Sequence, residues 1–361
     1  MRDYNENIEK KGVSVMFLSI FVKLVSLFLS VFMTVAQPLG MIEGKMQGKI
    51  THAEENCRVS FAAISDIHLR GNFKFIFQGM LELGLQDMAD ARDKLDAVAF
   101  VGDITDHGYV DQWNVFTDAL SKYDIADNKL IVVGNHDTWG PNREEFDNPE
   151  DGVQVTFSKY NKLIAGRDVS TMYYSEIING CYFIALGSEE DHTDAYLSDT
   201  QLQWFAGEMA KAAETGLPIF VFMHQPINKT HGLPYNWELK KDDPDEEGGI
   251  GNESDAVVAI LKQYDNVFYI SGHIHAGYKK SDSVIGAEYG SVEYMENNNG
   301  NPITLINLPS YLYFDFIHGG HLANGCGWIV EVYDGEVLLR ARNFATGTWI
   351  KLYDETVGLV G

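Results

Sequence analysis

The sequence predicts an α/β fold, and three observations support that prediction. Hydrophobic residues make up 45% of the 361 residues and aromatic residues 12%, as in packed globular chains. Between residues 59 and 133, apolar runs alternate with stretches of helical spacing in the order βαβαβ, which indicates parallel strands joined by crossover helices. Several of the apolar runs end directly in polar clusters. The length suits one large domain with additions.

The first part of the domain contains three predicted strands and two predicted helices. Each strand is a short, largely apolar run, and the three runs cover residues 59–65, 97–101 and 130–133. The helices between them, over residues 73–95 and 111–122, have apolar residues at helical spacing. We expect a break in the first helix near Gly84, because glycine weakens a helix interior.

The middle of the chain is predicted to mix antiparallel with parallel pairing. Asn179-Gly180 is a favoured two-residue turn and predicts a hairpin of strands 171–177 and 181–186. Ser198 and Gln201 have the spacing of a capping box, which predicts a helix that runs to about residue 215. The later predicted elements are strands at 218–223 and 267–271, a helix at 254–264, and short strands after residue 284 that include 328–333 and 336–342.

The N-terminal segment is predicted to lie outside this fold. Residues 13–36 are largely apolar, with one charge at Lys23, and Thr34 and Ala36 are small enough for a cleavage site. We therefore interpret residues 1–36 as a signal peptide, which predicts export of a secreted or cell-surface protein. An uncleaved membrane anchor remains the alternative, because about 20 apolar residues can span a bilayer.

The remaining boundaries follow from composition. Residues 37–57 contain three glycines and mixed polar residues without a clear period, and they are predicted to form a linker. Residues 58–361 are then the domain that carries the chemistry. Cys57, Cys181 and Cys326 are widely spaced and lack a CxxC pair, so three free thiols are expected and a zinc–thiolate site is not indicated.

The charge balance excludes broad classes of partner. The chain has 27 basic and 52 acidic residues, a formal net charge of −25 at pH 7. A surface with this much negative charge repels phosphate backbones, and general nucleic-acid binding is therefore not expected. Membrane contact is expected only through the N-terminal segment, if that segment stays attached.

Five predicted strands end in side chains of the types that bind metals. The clusters, in chain order, are Asp66-Ile-His68, Gly102-Asp103-Ile-Thr-Asp106, Gly134-Asn135-His136-Asp137, His224 and Gly272-His273-Ile-His275. Because the carboxyl ends of parallel strands share one edge of a sheet, we expect these clusters to converge. Carboxylate, imidazole and amide ligands without thiolate favour Mn²⁺, Fe or Zn²⁺. Two such ions can clamp the oxygens of an in-line displacement.

The ordered set DxH, GDxxD, GNHD, H and GHxH resembles the calcineurin-like metallophosphoesterase family over about residues 60–278. The resemblance implies an α/β β-sandwich of two mixed sheets flanked by helices, a four-layer α/β/β/α arrangement. It also implies a dinuclear centre with two divalent or mixed-valence ions of Mn, Fe or Zn. In that family, a hydroxide that bridges the two ions attacks phosphorus.

The resemblance implies a role for each matching residue. Asp66, His68 and His275 resemble the ligands of the first metal, Asp103 resembles the bridging carboxylate, and Asn135, His224 and His273 resemble the ligands of the second metal. His136 resembles the histidine that contacts the phosphoryl group and helps the leaving oxygen depart. Asp106 resembles the carboxylate that orients this histidine. For Asp137 we expect a turn or a supporting hydrogen bond instead.

Two departures narrow the activity that the resemblance implies. Asp106 stands where purple acid phosphatases have a metal-binding tyrosine, so a tyrosinate–iron site is not expected. His107 and Asp137 stand where protein Ser/Thr phosphatases have arginine and glutamate, which argues against a phosphoprotein substrate. We therefore predict a hydrolase of a small-molecule phosphoester, preferentially a phosphodiester. A phosphomonoesterase, and a surface binding protein that keeps the metals without turnover, remain the alternatives.

Overall fold

The computed structural model describes residues 45–71, 74–139, 149–189, 194–234, 248–279, 290–312 and 324–361. The predicted signal peptide or anchor, residues 1–36, lies outside these ranges, and so does the first part of the predicted linker. Within the described ranges, no helix combines the length and the apolar character that crossing a membrane requires.

The apolar runs of the sequence form strands, and most stretches with helical spacing form helices. The strands are β1 (Lys45–Gln47), β2 (Val59–Ile64), β3 (Ala97–Val101), β4 (Asn128–Val132), β5 (Tyr174–Ile178), β6 (Cys181–Ala185), β7 (Ile219–Phe222), β8 (Val267–Ser271), β9 (Val292–Glu296), β10 (Pro302–Asn307), β11 (Cys326–Tyr333), β12 (Glu336–Asn343), β13 (Thr348–Ile350) and β14 (Glu355–Gly358). The α-helices are α1 (Lys74–Ala89), α2 (Val110–Leu120), α3 (Asn135–Thr138), α4 (Pro149–Ala165), α5 (Asp199–Ala213) and α6 (Ser254–Leu261).

The larger sheet has the strand order β1-β13-β12-β11-β2-β3-β4, and β14 pairs with β12 beside this path. Strands β2, β3 and β4 run parallel, as the βαβαβ pattern predicts. The other pairs in this sheet are antiparallel. Every residue of β2 is buried, which is typical of a strand that is covered on both faces of its sheet.

The smaller sheet has the strand order β5-β6-β7-β8-β10-β9. Strands β6, β7, β8 and β10 run parallel, and β5 and β9 are antiparallel edges. The predicted hairpin of β5 and β6 is confirmed, and its turn residues Asn179 and Gly180 have φ angles of 49° and 90°. Both angles are positive, as a tight turn of this kind requires. The second sheet is therefore also mixed.

The two sheets pack face to face through aromatic side chains. The ring of Phe61 on β2 lies 5.0 Å from the rings of Phe183 and Phe220 and 5.9 Å from that of Phe222, which belong to the smaller sheet. A second apolar cluster joins Val221 of this sheet to Phe205 of helix α5, on the opposite face. The predicted fold class, two mixed sheets flanked by helices, is thus confirmed.

Part of the predicted linker is corrected by the structure. Lys45–Gln47 forms β1 and pairs antiparallel with β13. The carbonyl oxygen of Gly48 accepts a hydrogen bond of 2.8 Å from Arg342, and Ile50 is buried. A strand of three residues is too short for an alternation of apolar and polar residues to show in the sequence. The strand is recognised only from its pairing with β13 in the structure. Residues 45–57 therefore pack on the domain.

Helix α1 runs unbroken through Gly84, so the break predicted there is wrong. A Cβ atom at Gly84 would lie 2.1 Å from the hydroxyl oxygen of Tyr311. That hydroxyl donates a hydrogen bond of 3.0 Å to the carbonyl oxygen of Met80. The glycine therefore allows Tyr311 to pack directly against the helix backbone, a close approach that sequence spacing does not reveal.

Candidate active site

The five polar clusters follow strands of both sheets. Asp66 and His68 follow β2, Asp103 and Asp106 follow β3, Asn135 and His136 follow β4, His224 follows β7, and His273 and His275 follow β8. The prediction that a single sheet edge gathers all five clusters is therefore corrected. Three clusters come from the larger sheet and two from the smaller sheet, and the face-to-face packing of the sheets brings them together.

The turns that carry these side chains are conformationally strained. Positive φ angles of 55°, 46°, 49°, 76° and 48° occur at Asp66, His68, Asp103, His273 and His275. A non-glycine residue in such a conformation costs about 1–3 kcal/mol and persists only when its surroundings fix it. Strain of this kind accumulates at functional sites, because the direction of the side chain matters more there than local backbone energy.

One buried group contains Asp66, His68, Asp103 and His275, whose ligand atoms lie within 4.8 Å of one another. Nε2 of His68 lies 3.0 Å from Nε2 of His275, which in turn lies 3.4 Å from a carboxylate oxygen of Asp66. These are the residues that the resemblance implies for the first metal, together with the bridging carboxylate. Their nitrogen and oxygen atoms face a common point.

A second buried group contains Asp103, His224 and His273 within the same distance limit. Oδ1 of Asn135 lies 3.0 Å from Nδ1 of His273. This distance fits a hydrogen bond from Nδ1–H of His273 to Oδ1 of Asn135. It equally fits two atoms that bind the same cation. The structure therefore brings together all the residues that the resemblance implies for the second metal.

Asp103 belongs to both groups. Its Oδ2 atom lies 3.2 Å from Nε2 of His224 and 3.5 Å from Nε2 of His68. Its Oδ1 atom accepts a hydrogen bond of 2.9 Å from the backbone N–H of His136. One carboxylate oxygen thus faces both groups while the other is held by the backbone, which is the geometry a bridging ligand needs.

The donor set fits two divalent cations. Oδ2 of Asp103 and Nε2 of His224 are buried 3.2 Å apart, and neither has hydrogen-bond geometry with any described residue. Nδ1–H of His224 donates to the carbonyl oxygen of Val101 at 2.9 Å, so Nε2 is the atom left to bind a metal. Burial lowers the pKa of His224, but Asp103 and Asp66 outweigh burial and raise it to about 9. The local excess of negative charge therefore favours a cation.

The protonation of His68 also suits a metal ligand. Burial lowers the pKa of His68 to about 4, although Asp106 and Asp103 oppose this effect. The imidazole is therefore neutral near pH 7 and offers a lone pair, as metal binding requires. Burial alone would raise the pKa of Asp103, but His224 and His136 hold it well below its usual value. Asp103 is accordingly an anion in this site.

The structure corrects the contact predicted between Asp106 and His136. Nδ1–H of His136 donates to the backbone carbonyl oxygen of Asp106 at 2.8 Å. The carboxylate of Asp106 has nearer partners than His136, with Oδ1 3.4 Å from Nδ1 of His68 and 3.1 Å from Nε of Arg70, although one of its oxygens lies within 4.8 Å of a ring nitrogen of His136. Its Oδ2 lies 2.9 Å from Nδ1 of His107. The positive charge of Arg70 and the two additional imidazoles account for this orientation, because they compete with His136 for the same carboxylate.

Asp137 has the supporting role that the sequence predicts. Its Oδ1 atom accepts hydrogen bonds of 2.8 Å from the backbone N–H and the hydroxyl of Thr105. Its Oδ2 atom accepts from the backbone N–H groups of Gly134 and Ile104 at 3.0 and 3.2 Å. Burial, and secondarily Asp103, raises the pKa of Asp137 to about 6. The residue ties the loop after β3 to the loop after β4.

Sequence reasoning missed two residues beside this site. Arg70 pairs with Asp106, and its side chain is 37% exposed. The ring of Trp139 lies 4.3 Å from that of His136. The sequence marks these two residues only by their position beside the motifs. Arg70 comes two residues after His68, and Trp139 ends the turn that begins at Asn135. Neither residue type is diagnostic without the geometry.

Comparison with known proteins agrees with this arrangement. The family model for calcineurin-like phosphoesterase matches residues 59–277. The chain is similar to a dimetal phosphatase from Danio rerio, with a TM-score of 0.54, 14% identity and coverage of 84% of this chain and 100% of the other. It is also similar to a purple acid phosphatase from yellow lupin, Lupinus luteus, with a TM-score of 0.54 and 13% identity. That alignment covers 83% of this chain and 53% of the lupin chain. Such low identities show the fold alone, and no curated protein matches the sequence.

Proposed function

The chain belongs to the calcineurin-like phosphoesterase family and is a dinuclear metal-dependent phosphoester hydrolase, and on this premise we propose that its substrates are phosphodiesters. The preference for phosphodiesters over phosphomonoesters rests on one observation. Arg70, the arginine beside the ligand cluster, is paired with the carboxylate of Asp106 at 3.1 Å. Near neutral pH a phosphomonoester carries up to two negative charges and a diester carries one. Because a carboxylate already neutralises Arg70, the site favours the substrate with the smaller charge.

The residues that would hold the two metal ions follow from the two buried groups. Asp66, His68 and His275 would bind one ion, Asn135, His224 and His273 the other, and Asp103 both. Two bound ions would supply activation of water and stabilisation of the charge that develops on the phosphoryl oxygens. We propose Mn, Fe or Zn as the metals, because the ligand set combines carboxylate, imidazole and amide groups without thiolate.

His136 is positioned to transfer a proton at Nε2. Its Nδ1–H is occupied by the carbonyl oxygen of Asp106, so Nε2 is the ring atom left for the substrate. Its backbone N–H donates to Asp103, and its ring lies 4.6 Å from the ring of His68. These contacts hold the imidazole against the ligand cluster. We propose that Nε2 donates its proton to the oxygen of the leaving group.

The experiment that tests the proposal compares two substrates with the same chromophore. The purified full chain, loaded with Mn²⁺, would be assayed on bis-p-nitrophenyl phosphate and p-nitrophenyl phosphate, with metal content measured in parallel. We expect about two metals per chain and a higher kcat/KM for the diester. His136→Asn should lower turnover about 10²–10⁴-fold while metal content stays unchanged.

Two outcomes would favour the alternatives. Faster cleavage of the monoester would contradict the phosphodiesterase proposal and favour a phosphomonoesterase. Two bound metals without turnover on either substrate, in both the wild type and His136→Asn, would favour a non-catalytic binding protein.

We also propose that the protein is exported, with residues 1–36 as a cleaved signal peptide. The apolar character of residues 13–36 supports this proposal. Intact mass of the protein recovered outside producing cells should match a chain that begins at Gln37. Recovery of the full-length chain in the membrane fraction would indicate the anchor instead.

A further inference from the structure

Three aromatic rings, which we call the aromatic wall, form a row that begins beside His136: Trp139, His107 and Tyr109. The ring centroid of Trp139 is 4.3 Å from that of His136 and 6.4 Å from that of His107. Tyr109 continues the row, 5.5 Å from His107. The side chain of His107 is 48% exposed, Tyr109 is 36% exposed and Trp139 is partly exposed. Solvent-accessible rings in mutual contact are typical of a binding surface.

Hydrogen bonds and a close backbone approach hold the segments that carry the aromatic wall. The backbone N–H of His107 donates to Oε1 of the buried Gln112 at 2.9 Å, and its Nδ1 contacts the carboxylate of Asp106. A Cβ atom at Gly108 would lie 2.1 Å from the carbonyl oxygen of Trp139, so the two segments touch through their backbones. An exposed ring held in this way loses little conformational entropy when a ligand binds.

We propose that the aromatic wall is the subsite for the leaving group, and that it selects leaving groups with a planar aromatic ring, as in aryl or nucleoside phosphodiesters. The inference rests on the proposed function, because it requires His136 to face the leaving oxygen. The bond from phosphorus to that oxygen breaks on the side of His136, so the group attached to the oxygen passes Trp139. A planar ring stacks on Trp139 or His107, and an alkyl group has no π face with which to do so.

A binding experiment separates the contribution of the ring from that of the phosphate. Phenylphosphonate and methylphosphonate carry the same anion, resist hydrolysis and differ in the ring alone. Calorimetry on the Mn²⁺-loaded full chain should show phenylphosphonate bound at least about fivefold more tightly. Trp139→Leu and His107→Leu should lose this preference and bind methylphosphonate as the wild type does. Trp139→Phe, which retains a ring, should keep it.

The same experiment identifies the source of the ring. In the His136→Asn background, which slows turnover, adenosine 5′-monophosphate and ribose 5-phosphate form a second pair that differs in the base alone. A preference within this pair assigns the wall to nucleosides, and a preference confined to phenylphosphonate assigns it to aryl groups. Tyr294→Leu removes an aromatic ring that is 54% exposed on β9 and serves as the control, which should behave as the wild type.

Two results would overturn the inference while leaving the phosphodiesterase proposal intact. In the first, the two phosphonates bind equally to the wild type, and the two sugar phosphates bind equally to His136→Asn. In the second, Trp139→Leu lowers kcat on all diesters by the same factor and leaves the ratio of phosphonate affinities unchanged, which would make Trp139 a positioning residue for His136. If the proposed function is wrong, a different result is expected: the wild-type protein does not cleave the diester in preference to the monoester.

Discussion

The backbone carbonyl oxygen of Asp106 accepts a hydrogen bond of 2.8 Å from Nδ1–H of His136, while the Asp106 carboxylate lies 3.4 Å from Nδ1 of His68. One residue thus orients the proposed proton donor through its backbone and a proposed metal ligand through its side chain. Partners of the second ring nitrogen of a metal-binding histidine fix its tautomer and its basicity. A side-chain substitution at position 106 removes the carboxylate from His68, Arg70 and His107 but leaves the backbone carbonyl oxygen that His136 contacts.

Asp106→Asn is therefore expected to weaken metal binding more than proton transfer. Loss of the carboxylate beside His68 should lower the affinity for the first metal about 10–100-fold, as for other partners of metal ligands. At saturating Mn²⁺, kcat should stay well above that of His136→Asn, because the carbonyl at 106 remains. Metal titration followed by kinetics on the diester measures both quantities. An unchanged metal affinity with kcat as low as in His136→Asn would instead mean that the carboxylate acts on His136.

Gly102→Ala is expected to remove one of the two metals. A Cβ atom at Gly102, where φ is +80°, would lie 2.4 Å from Nδ1 of His224 and would push this ring out of the second buried group. We expect metal content to fall from about two to about one per chain. Elemental analysis after dialysis measures this change.

The matched control for that substitution is Gly300→Ala. Gly300 has the same φ of +80°, but a Cβ atom there would meet nothing within 4 Å. Both variants place alanine at the same positive φ, so they separate the effect of this φ from displacement of the ligand. Equal metal content in the two variants would show that His224 can shift without losing the metal.

Sequence reasoning succeeded where the determining contacts are local. Strand β2 is apolar at nearly every position and is followed at once by Asp66 and His68, so both the strand and the polar turn are visible in a few residues. The pairing of Asp106 with Arg70 was not visible. It depends on the parallel bridge between Leu69 and Thr105, which joins two loops that are distant in the chain.

Close approaches of backbone are a second kind of feature that sequence pattern does not predict. The low helix propensity of glycine suggests a helix break at Gly84. In the structure the helix continues, and the Tyr311 hydroxyl fills the space where a side chain at position 84 would lie. Strand β1 likewise exists only because the edge of β13 is available to pair with it. In both cases tertiary packing overrides a weak local preference.

The buried ion pair between Arg342 and Asp87 is expected to be important for stability. Arg342 is fully buried, its Nε donates to Asp87 at 2.7 Å, and its guanidinium lies 4.5 Å from the ring of Trp349. Asp87→Asn leaves a buried charge without its partner, so it should lower the free energy of unfolding by about 3–5 kcal/mol. Urea denaturation measures this difference.

An exposed ion pair supplies the control for Asp87→Asn. Lys162 and Asp168 are in contact, but their side chains are 64% and 78% exposed. Solvent screens such a pair, so Asp168→Asn should change stability by less than about 1 kcal/mol. Similar losses for the two variants would contradict the view that burial sets the importance of the Arg342 pair.

The thiol of Cys57 is expected to react slowly with alkylating reagents. Cys57 and Cys181 are free thiols, as the sequence predicts. Burial, and secondarily the charge of Glu331, raises the pKa of Cys57 to about 11, and its thiol contacts the carbonyl oxygen of Val59. Since the thiolate is the reactive form, the alkylation rate of the folded protein should rise about tenfold per pH unit between pH 7 and 9.5. Peptide mass spectrometry after iodoacetamide pulses follows this residue specifically, and the urea-unfolded chain is the control, which should react faster. A rate that levels off below pH 9 in the folded protein would mean that Glu331 and burial do not suppress the thiolate.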